Sequence, residues 1–130
     1  MDLFSNSNEW LRRAKSNLNR AKDSDNLDLR EIALEDLFFD AQQCAEKSIK
    51  AVLVKNNIDF SYTHDISKLI TLLTKNEINF PEELFEVAEL TVFAFITRYP
   101  GDRKHLTLED LNWAVKVSEN TYNWAKNQIL

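Results

Sequence analysis

The sequence predicts one all-α domain spanning residues 1–130, folded as an antiparallel up-and-down bundle of four to five helices. Three observations support this fold class. A chain of 130 residues is long enough for one domain with a substantial core. One glycine and two prolines are too few for the sharp turns of an antiparallel sheet. Apolar residues recur at helical spacings of three and four along most of the chain.

The first two helices are predicted from amphipathic patterning. The first runs from about Ser7 to Lys22, and its basic residues cover the face opposite the apolar one. We interpret that basic face as solvated. The second runs from about Arg30 to Lys55 and carries a broad apolar arc. This arc includes Cys44, the only cysteine, which cannot form an internal disulfide and is expected to pack as a small residue.

A narrow polar stripe lies opposite that arc on the second helix. Its members follow one another at spacings of four, three, four and three, with Glu46 beside them: Asp36, Asp40, Gln43, Lys47 and Lys50. Such spacings stack side chains along one helix face. Two interpretations remain open, a solvent face with paired charges and a polar wall that lines a site or an interface.

Local signals mark the remaining helices. Asp65 begins a short third helix, and His64 before it is interpreted as a capping or packing residue. Pro81 suits the first turn of a fourth helix, which must end before Pro100. Thr107 is the predicted cap of the last helix, which continues to about residue 129 and has acidic residues in its first turn.

The second half of the fourth helix is apolar on nearly every side. A helix of this kind has to be buried all round, and a domain this small rarely covers a helix completely. We therefore predict a homodimer, with an interface formed by Val92, Phe93, Phe95 and Ile96. The last helix has a second apolar stripe at Trp113, Val117 and Trp124, which indicates either a second contact or a core rim.

Composition excludes several classes of function. The formal net charge of −5 does not fit a protein that coats nucleic acid, so any such contact is local. No apolar segment approaches the roughly 20 residues that cross a bilayer, and the N-terminus lacks a signal core, so we expect a cytoplasmic protein without membrane contact. His64, His105 and Cys44 are too far apart in sequence for zinc-type spacing. Neither a metal site nor a cofactor is predicted.

Unusual chemistry is concentrated between residues 98 and 105. This stretch holds the only glycine, three basic residues and one acidic residue, in an otherwise acidic chain: Arg98-Tyr99-Pro100-Gly101-Asp102-Arg103-Lys104-His105. Arginine binds phosphate with a planar fork, and histidine moves protons near neutral pH. Arg98 is the first candidate for a phosphate contact, although it also suits the free carbonyls of a helix C-terminus.

Four stretches together resemble the HEPN domain family. They are Trp10-Leu11-Arg12-Arg13-Ala14, the second-helix run FDAQQCAEKSIKAVL from residue 39 to 53, Thr63-His64-Asp65-Ile66, and Arg98-Tyr99-Pro100-Gly101. The resemblance covers the chain from about Trp10 to Trp124. It implies an antiparallel helical bundle, a homodimer and a function that involves nucleotides or RNA.

The resemblance implies two functional modes. The leading interpretation is a nucleotide- or RNA-binding module, a companion of a small nucleotidyltransferase in a two-component, toxin–antitoxin-like system. Its candidate phosphate-binding residues are Arg98, Tyr99, Arg103, Lys47 and Lys50. The alternative is a metal-independent endoribonuclease that uses Arg98 and His105, which six residues separate. A non-catalytic dimerisation module is the third possibility.

Overall fold

The computed structural model describes residues 6–24, 31–97 and 106–130. Five α-helices occur in these ranges: α1 Ser7–Ala21, α2 Leu34–Lys55, α3 Ile66–Lys75, α4 Glu89–Thr97 and α5 Leu108–Ile129. A 3-10 helix, Glu82–Ala88, precedes α4. The described residues contain no strand, so the all-α prediction is confirmed.

The directions of the long helices follow from side-chain contacts. Trp10, near the start of α1, lies against Lys50 near the end of α2, whereas Asn17, further along α1, reaches back to Asp40. α1 therefore runs antiparallel to α2. Lys15 of α1 contacts Tyr122 of α5, whereas Lys22, directly after α1, contacts the earlier Glu119. α1 therefore also runs antiparallel to α5. α2 and α5 consequently run in the same direction, as alternate helices of an up-and-down bundle do.

Helix α2 supplies much of the core. Its apolar arc is fully buried against side chains of α3, α4 and α5: Phe38, Ala41, Ala45, Ile49, Val52 and Leu53. Cys44 packs with Ala14 and Leu18 of α1 in a second, smaller cluster. Burial raises the pKa of its thiol to about 12, which confirms the prediction of a packed residue.

Two predicted helix starts are wrong. α2 begins at Leu34, not Arg30, because Glu31 has a positive φ of 52° and Ala33 is extended, with ψ 138°. The predicted fourth helix opens as a 3-10 helix, in which Leu84 N–H donates to the Pro81 carbonyl at 2.9 Å. Pro81 lies just before this helix, and the tighter turns lead into α4.

The chain itself covers much of the apolar surface that suggested a second subunit. Phe93 packs between Phe38 and Trp113, at ring distances of 5.7 and 5.6 Å, and Trp124 packs against Phe80 at 4.8 Å. The second stripe of α5 is thus a core rim within one chain. Val92 remains 59% exposed. The side chains of Phe95 and Ile96 lie outside the described residues, and the homodimer stays a prediction.

Two further predictions concern the cap of α5 and membrane-spanning helices. Thr107 caps α5 as predicted, since its hydroxyl accepts from Asp110 N–H while the Asp110 carboxylate accepts from Thr107 N–H, each at 3.1 Å. Within the described ranges, no helix combines the length and apolarity that a membrane span requires.

Candidate functional site

A cleft of about 640 Å³ lies between α1, the second half of α2 and the connection that joins α2 to α3. Its lining combines aromatic rings with charges of both signs. The aromatic side chains are Trp10, Phe60 and Tyr62; the basic ones are Arg13, Lys47, Lys50 and His64; the acidic ones are Glu9, Glu46 and Asp59.

A buried carboxylate forms the floor of the cleft. Glu46 is only 2% exposed, and its two oxygens lie 3.0 and 3.2 Å from Nδ1 of His64. Lys50, one helical turn further along α2, donates to the same carboxylate at 3.4 Å, and Gln42 donates at 3.5 Å from one turn before. A buried carboxylate is tolerated because it has these partners.

The connection that carries His64 is fixed by its backbone. The His64 carbonyl accepts from Gln42 Nε2 at 3.4 Å and from the Thr91 hydroxyl at 3.5 Å, which ties the connection to α2 and α4. Asp65 caps α3 by accepting from Ser67 N–H. Of the two roles expected for His64, capping is wrong, because Asp65 is the cap; the His64 side chain packs against the Tyr62 ring and pairs with Glu46.

Lys50 is a buried cation with aromatic neighbours. Its side chain is 8% exposed, and its Nζ lies 5.5 Å from the ring centres of both Trp10 and Phe60. These two rings meet edge to face at 6.2 Å. The negative faces of aromatic rings stabilise a desolvated ammonium group, so the rings and Glu46 together compensate the charge of Lys50.

The positive charge of Lys47 is compensated less completely than that of Lys50. Its Nζ donates to Oδ1 of Asn17 at 2.8 Å, and Nδ2 of Asn17 donates to Asp40 at 2.8 Å. Partial burial lowers the pKa of Lys47, against the opposing attraction of Glu46. An anion placed beside Lys47 would stabilise its charged form.

The HEPN domain family model matches residues 7–128. The chain belongs to the HEPN domain family. The crystal structure of an archaeal HEPN homologue superposes with a TM-score of 0.70 at 24% sequence identity, covering 96% of this chain and 98% of that one. At this level of identity the likeness shows the fold alone. No curated protein matches the sequence significantly.

This HEPN domain brings together only part of the predicted polar wall. Gln43, Glu46, Lys47 and Lys50 line the cleft, so this half of the stripe is not a solvent face. Asp36 is exposed, and Asp40 pairs instead with Arg20 of α1 at 3.0 Å. Four candidate residues lie outside the described ranges: Arg98, Tyr99, Arg103 and His105.

Helix α4 contacts both the first half of α2 and the connection that lines the cleft. Phe93 packs on Phe38 of α2, and the Thr91 hydroxyl donates to the His64 carbonyl. The lining of the cleft in this HEPN domain comes from α1, α2 and the α2–α3 connection.

Sequence reasoning missed the aromatic side of the cleft. Trp10, Phe60 and Tyr62 were not among the predicted site residues, and neither was Arg13. One signal was present: Phe60, Tyr62 and His64 alternate along a short connection, and loops carry function more often than core elements do. Among the described residues, no group of three metal-ligating side chains is present.

Proposed function

We propose that this HEPN domain binds a nucleotide or a short single-stranded RNA in the cleft between α1, α2 and the α2–α3 connection. The observation that carries the proposal is the joint presence of aromatic rings and partly desolvated cations on one concave surface. Bases stack on aromatic side chains, and phosphates are held by lysine and arginine.

Lys47 and Arg13 form the phosphate end of the proposed site. Lys47 is half-buried and gains from an added anion, as its lowered pKa indicates. Arg13 is exposed on α1, and its Nε donates to Glu9 at 3.2 Å, which leaves its two terminal amino groups for a phosphate. The charge of Lys50 is already compensated by Glu46 and by two rings, so we do not place Lys50 among the direct phosphate contacts.

Tyr62 forms the base end of the proposed site. Its side chain is 96% exposed at the mouth of the cleft, and its ring lies 5.9 Å from the His64 ring, nearly perpendicular to it. An uncovered aromatic face beside a cleft suits a stacked base. Alanine substitution at such stacking positions costs about 1–3 kcal/mol of binding free energy per base.

Calorimetric titration with the ribonucleoside triphosphates and with a uridine hexamer tests the proposal. Tyr62→Ala should weaken binding roughly 5- to 150-fold, the equivalent of one lost stack, while Tyr62→Phe retains most of the affinity. Lys47→Gln should weaken binding about tenfold through the loss of a charge-assisted contact. Lys68→Gln, an exposed lysine on α3 outside the cleft, is the matched control. If no probe binds, the proposal is ruled out. Equal losses of affinity in Lys47→Gln and Lys68→Gln would show that the cleft is not the binding site.

The basic segment enters the proposal as a second set of phosphate contacts. Arg98, Tyr99 and Arg103, which follow α4 in the chain, would add phosphate contacts for a ligand of several nucleotides. Arg98→Ala should then weaken the binding of the uridine hexamer and leave the binding of ATP unaffected. A companion role with a nucleotidyltransferase predicts that the two proteins co-purify from the native host.

RNA cleavage is the second candidate, favoured by the spacing of Arg98 and His105. Histidine can take the proton of a 2′-hydroxyl, and arginine can stabilise the phosphate charge without a metal. If this holds, the purified protein cuts single-stranded RNA in EDTA, and Arg98→Ala or His105→Ala abolishes the cutting. Cleavage that persists in both variants would remove these residues from the mechanism.

A dimerisation module is the third candidate. It rests on the exposed Val92 of α4. Light scattering on the wild type and on Val92→Lys separates the cases: a dimer that dissociates in the variant supports this surface, and a monomeric wild type contradicts it.

A further inference from the structure

We infer that His64 makes the cleft selective for ribonucleotides, because its Nε2 accepts a hydrogen bond from the ribose 2′-hydroxyl. The inference rests on the proposed function and deepens it by naming the class of ligand. It is carried by the geometry of Glu46, Lys50 and His64, and by the position of His64 relative to Tyr62 and Lys47.

Glu46 fixes which nitrogen of His64 carries the hydrogen. An ionised carboxylate has only acceptor sites, so the imidazole nitrogen that faces it must be a donor. Nδ1 lies within 3.0 and 3.2 Å of the two Glu46 oxygens and is therefore the protonated nitrogen. In the neutral ring this leaves Nε2, on the opposite edge, as an acceptor.

Lys50 makes a second cation beside Glu46 unnecessary. Its ammonium group already donates to the carboxylate at 3.4 Å, and both side chains are almost completely buried. The cluster of one carboxylate and one ammonium group is balanced in charge, so the neutral imidazole satisfies it with one donated hydrogen bond. Buried pairs of this kind need such additional hydrogen bonds to complete them.

The same cluster holds the ring in position. Glu46 is buried in α2, and the His64 backbone is anchored to Gln42 and Thr91. The His64 side chain itself is 66% exposed and lines the cleft. No described residue forms a hydrogen bond with its Nε2. An acceptor held at a fixed place on a binding surface selects ligands that bring a donor.

A bound nucleotide would present its sugar to this acceptor. The His64 ring lies 5.9 Å from the ring of Tyr62, and Lys47 lines the same cleft. A nucleotide whose base stacks on Tyr62 would carry its sugar past the neighbouring His64 ring. The 2′-hydroxyl is the group that distinguishes RNA from DNA in protein sites.

Calorimetry with two matched ligand pairs tests the inference: ATP against dATP, and a uridine hexamer against its 2′-deoxy counterpart. The wild type should prefer the ribose member roughly 2- to 10-fold, the effect of one net hydrogen bond. His64→Phe keeps a ring but removes both ring nitrogens, and it should abolish the preference for the ribose member within each pair. Ser61→Ala, an exposed change on the same connection outside the cleft, should retain the preference.

A spectroscopic readout separates this role from a structural one. In nitrogen NMR spectra, Nε2 of His64 should show the shift of an unprotonated nitrogen in the free protein and should move on addition of ATP but not of dATP. Equal affinities within both pairs would overturn the inference while leaving the proposed function intact. A preference that survives His64→Phe would overturn the assignment to His64. If no probe binds at all, the proposed function fails and the inference fails with it.

Discussion

The two ends of the polar stripe on α2 have the same sequence character but opposite environments. At the first end, Asp36 is exposed and Asp40 pairs with an exposed arginine of α1. At the other end, the side chains of Glu46 and Lys50 are 2% and 8% exposed and form a buried pair. Both ends hold acidic groups at helical spacing with basic partners in reach, so periodicity alone does not distinguish them.

The difference arises from what covers each end. The α2–α3 connection folds back along the second half of α2, where its Phe60 and His64 contact Lys50 and Glu46. At the first end, Asp40 bonds to Arg20 and Asn17 of α1. Charged residues at the same helical spacing therefore form an ion pair with an exposed arginine at one end and a desolvated cluster at the other. The desolvated end has the stronger electrostatics, because the local dielectric is low.

The largest expected effect is on stability when the buried pair is broken. Glu46→Ala leaves the Lys50 ammonium group buried without its counterion, which costs about 3–5 kcal/mol. Asp36→Ala, at the exposed end, should change the free energy of unfolding by no more than about 0.5 kcal/mol. Chemical denaturation measures both values.

A double variant tests whether the stranded charge is the cause. Adding Lys50→Met to Glu46→Ala removes that charge and should recover part of the lost stability, as a double-mutant cycle would show. Similar losses in Glu46→Ala and Asp36→Ala, or no recovery in the double variant, would contradict the contrast between the two ends.

An intermediate effect is expected at the residue that links the two ends. Asn17 is buried on α1, donates to Asp40 and accepts from Lys47, each at 2.8 Å. Asn17→Ala leaves both charged partners without this contact and should reduce the free energy of unfolding by about 1–3 kcal/mol. Asn19→Ala, an exposed neighbour on the same helix, is the control and should be nearly neutral. Thermal unfolding measures the stability of both variants. Equal melting temperatures for Asn17→Ala and Asn19→Ala would show that the contacts of Asn17 do not stabilise the fold.

The smallest effect is expected at Glu9, a partly buried carboxylate on the rim of the cleft. Glu9 accepts hydrogen bonds from Arg12 and Arg13, which lower its pKa from 4.5 to about 2. Because the folded-state value is the lower one, this contact stabilises the fold above about pH 4.5 and is lost as the pH falls toward 2. Arg12→Ala should return the pKa of Glu9 toward 4.5 in an NMR titration. An unchanged titration in Arg12→Ala would show that this ion pair does not form in solution.

Helix starts could be predicted where a side chain caps the helix, and not where the cap is absent. Thr107 and Asp65 were readable as helix-start residues because a cap acts on groups within three residues of itself. The start of α2 was misplaced because its N-cap position, Ala33, makes no side-chain cap bond and so leaves no signal in the sequence. The second stripe of α5 was readable as apolar, but its partners, Phe80 and Phe93, lie in other elements.

The candidate site was only half predictable for a similar reason. Lys47, Lys50, Gln43 and Glu46 share one helix face, so spacing alone brought them together. Their partners in the cleft come from elsewhere: Glu46 and His64 are 18 positions apart, and Lys50 lies 40 positions from Trp10. No periodic pattern connects such residues.

The helical bundle, most of the helix boundaries and the polar stripe could be predicted from the sequence, because periodicity and caps are properties of neighbouring residues. Which half of that stripe is buried depends on the packing of the whole domain. Folding the α2–α3 connection back over α2 removed water from Glu46 and Lys50, placed His64 against the carboxylate and set aromatic rings beside the ammonium group. Desolvation depends on every element packed around a group, and a stretch of sequence does not contain that information.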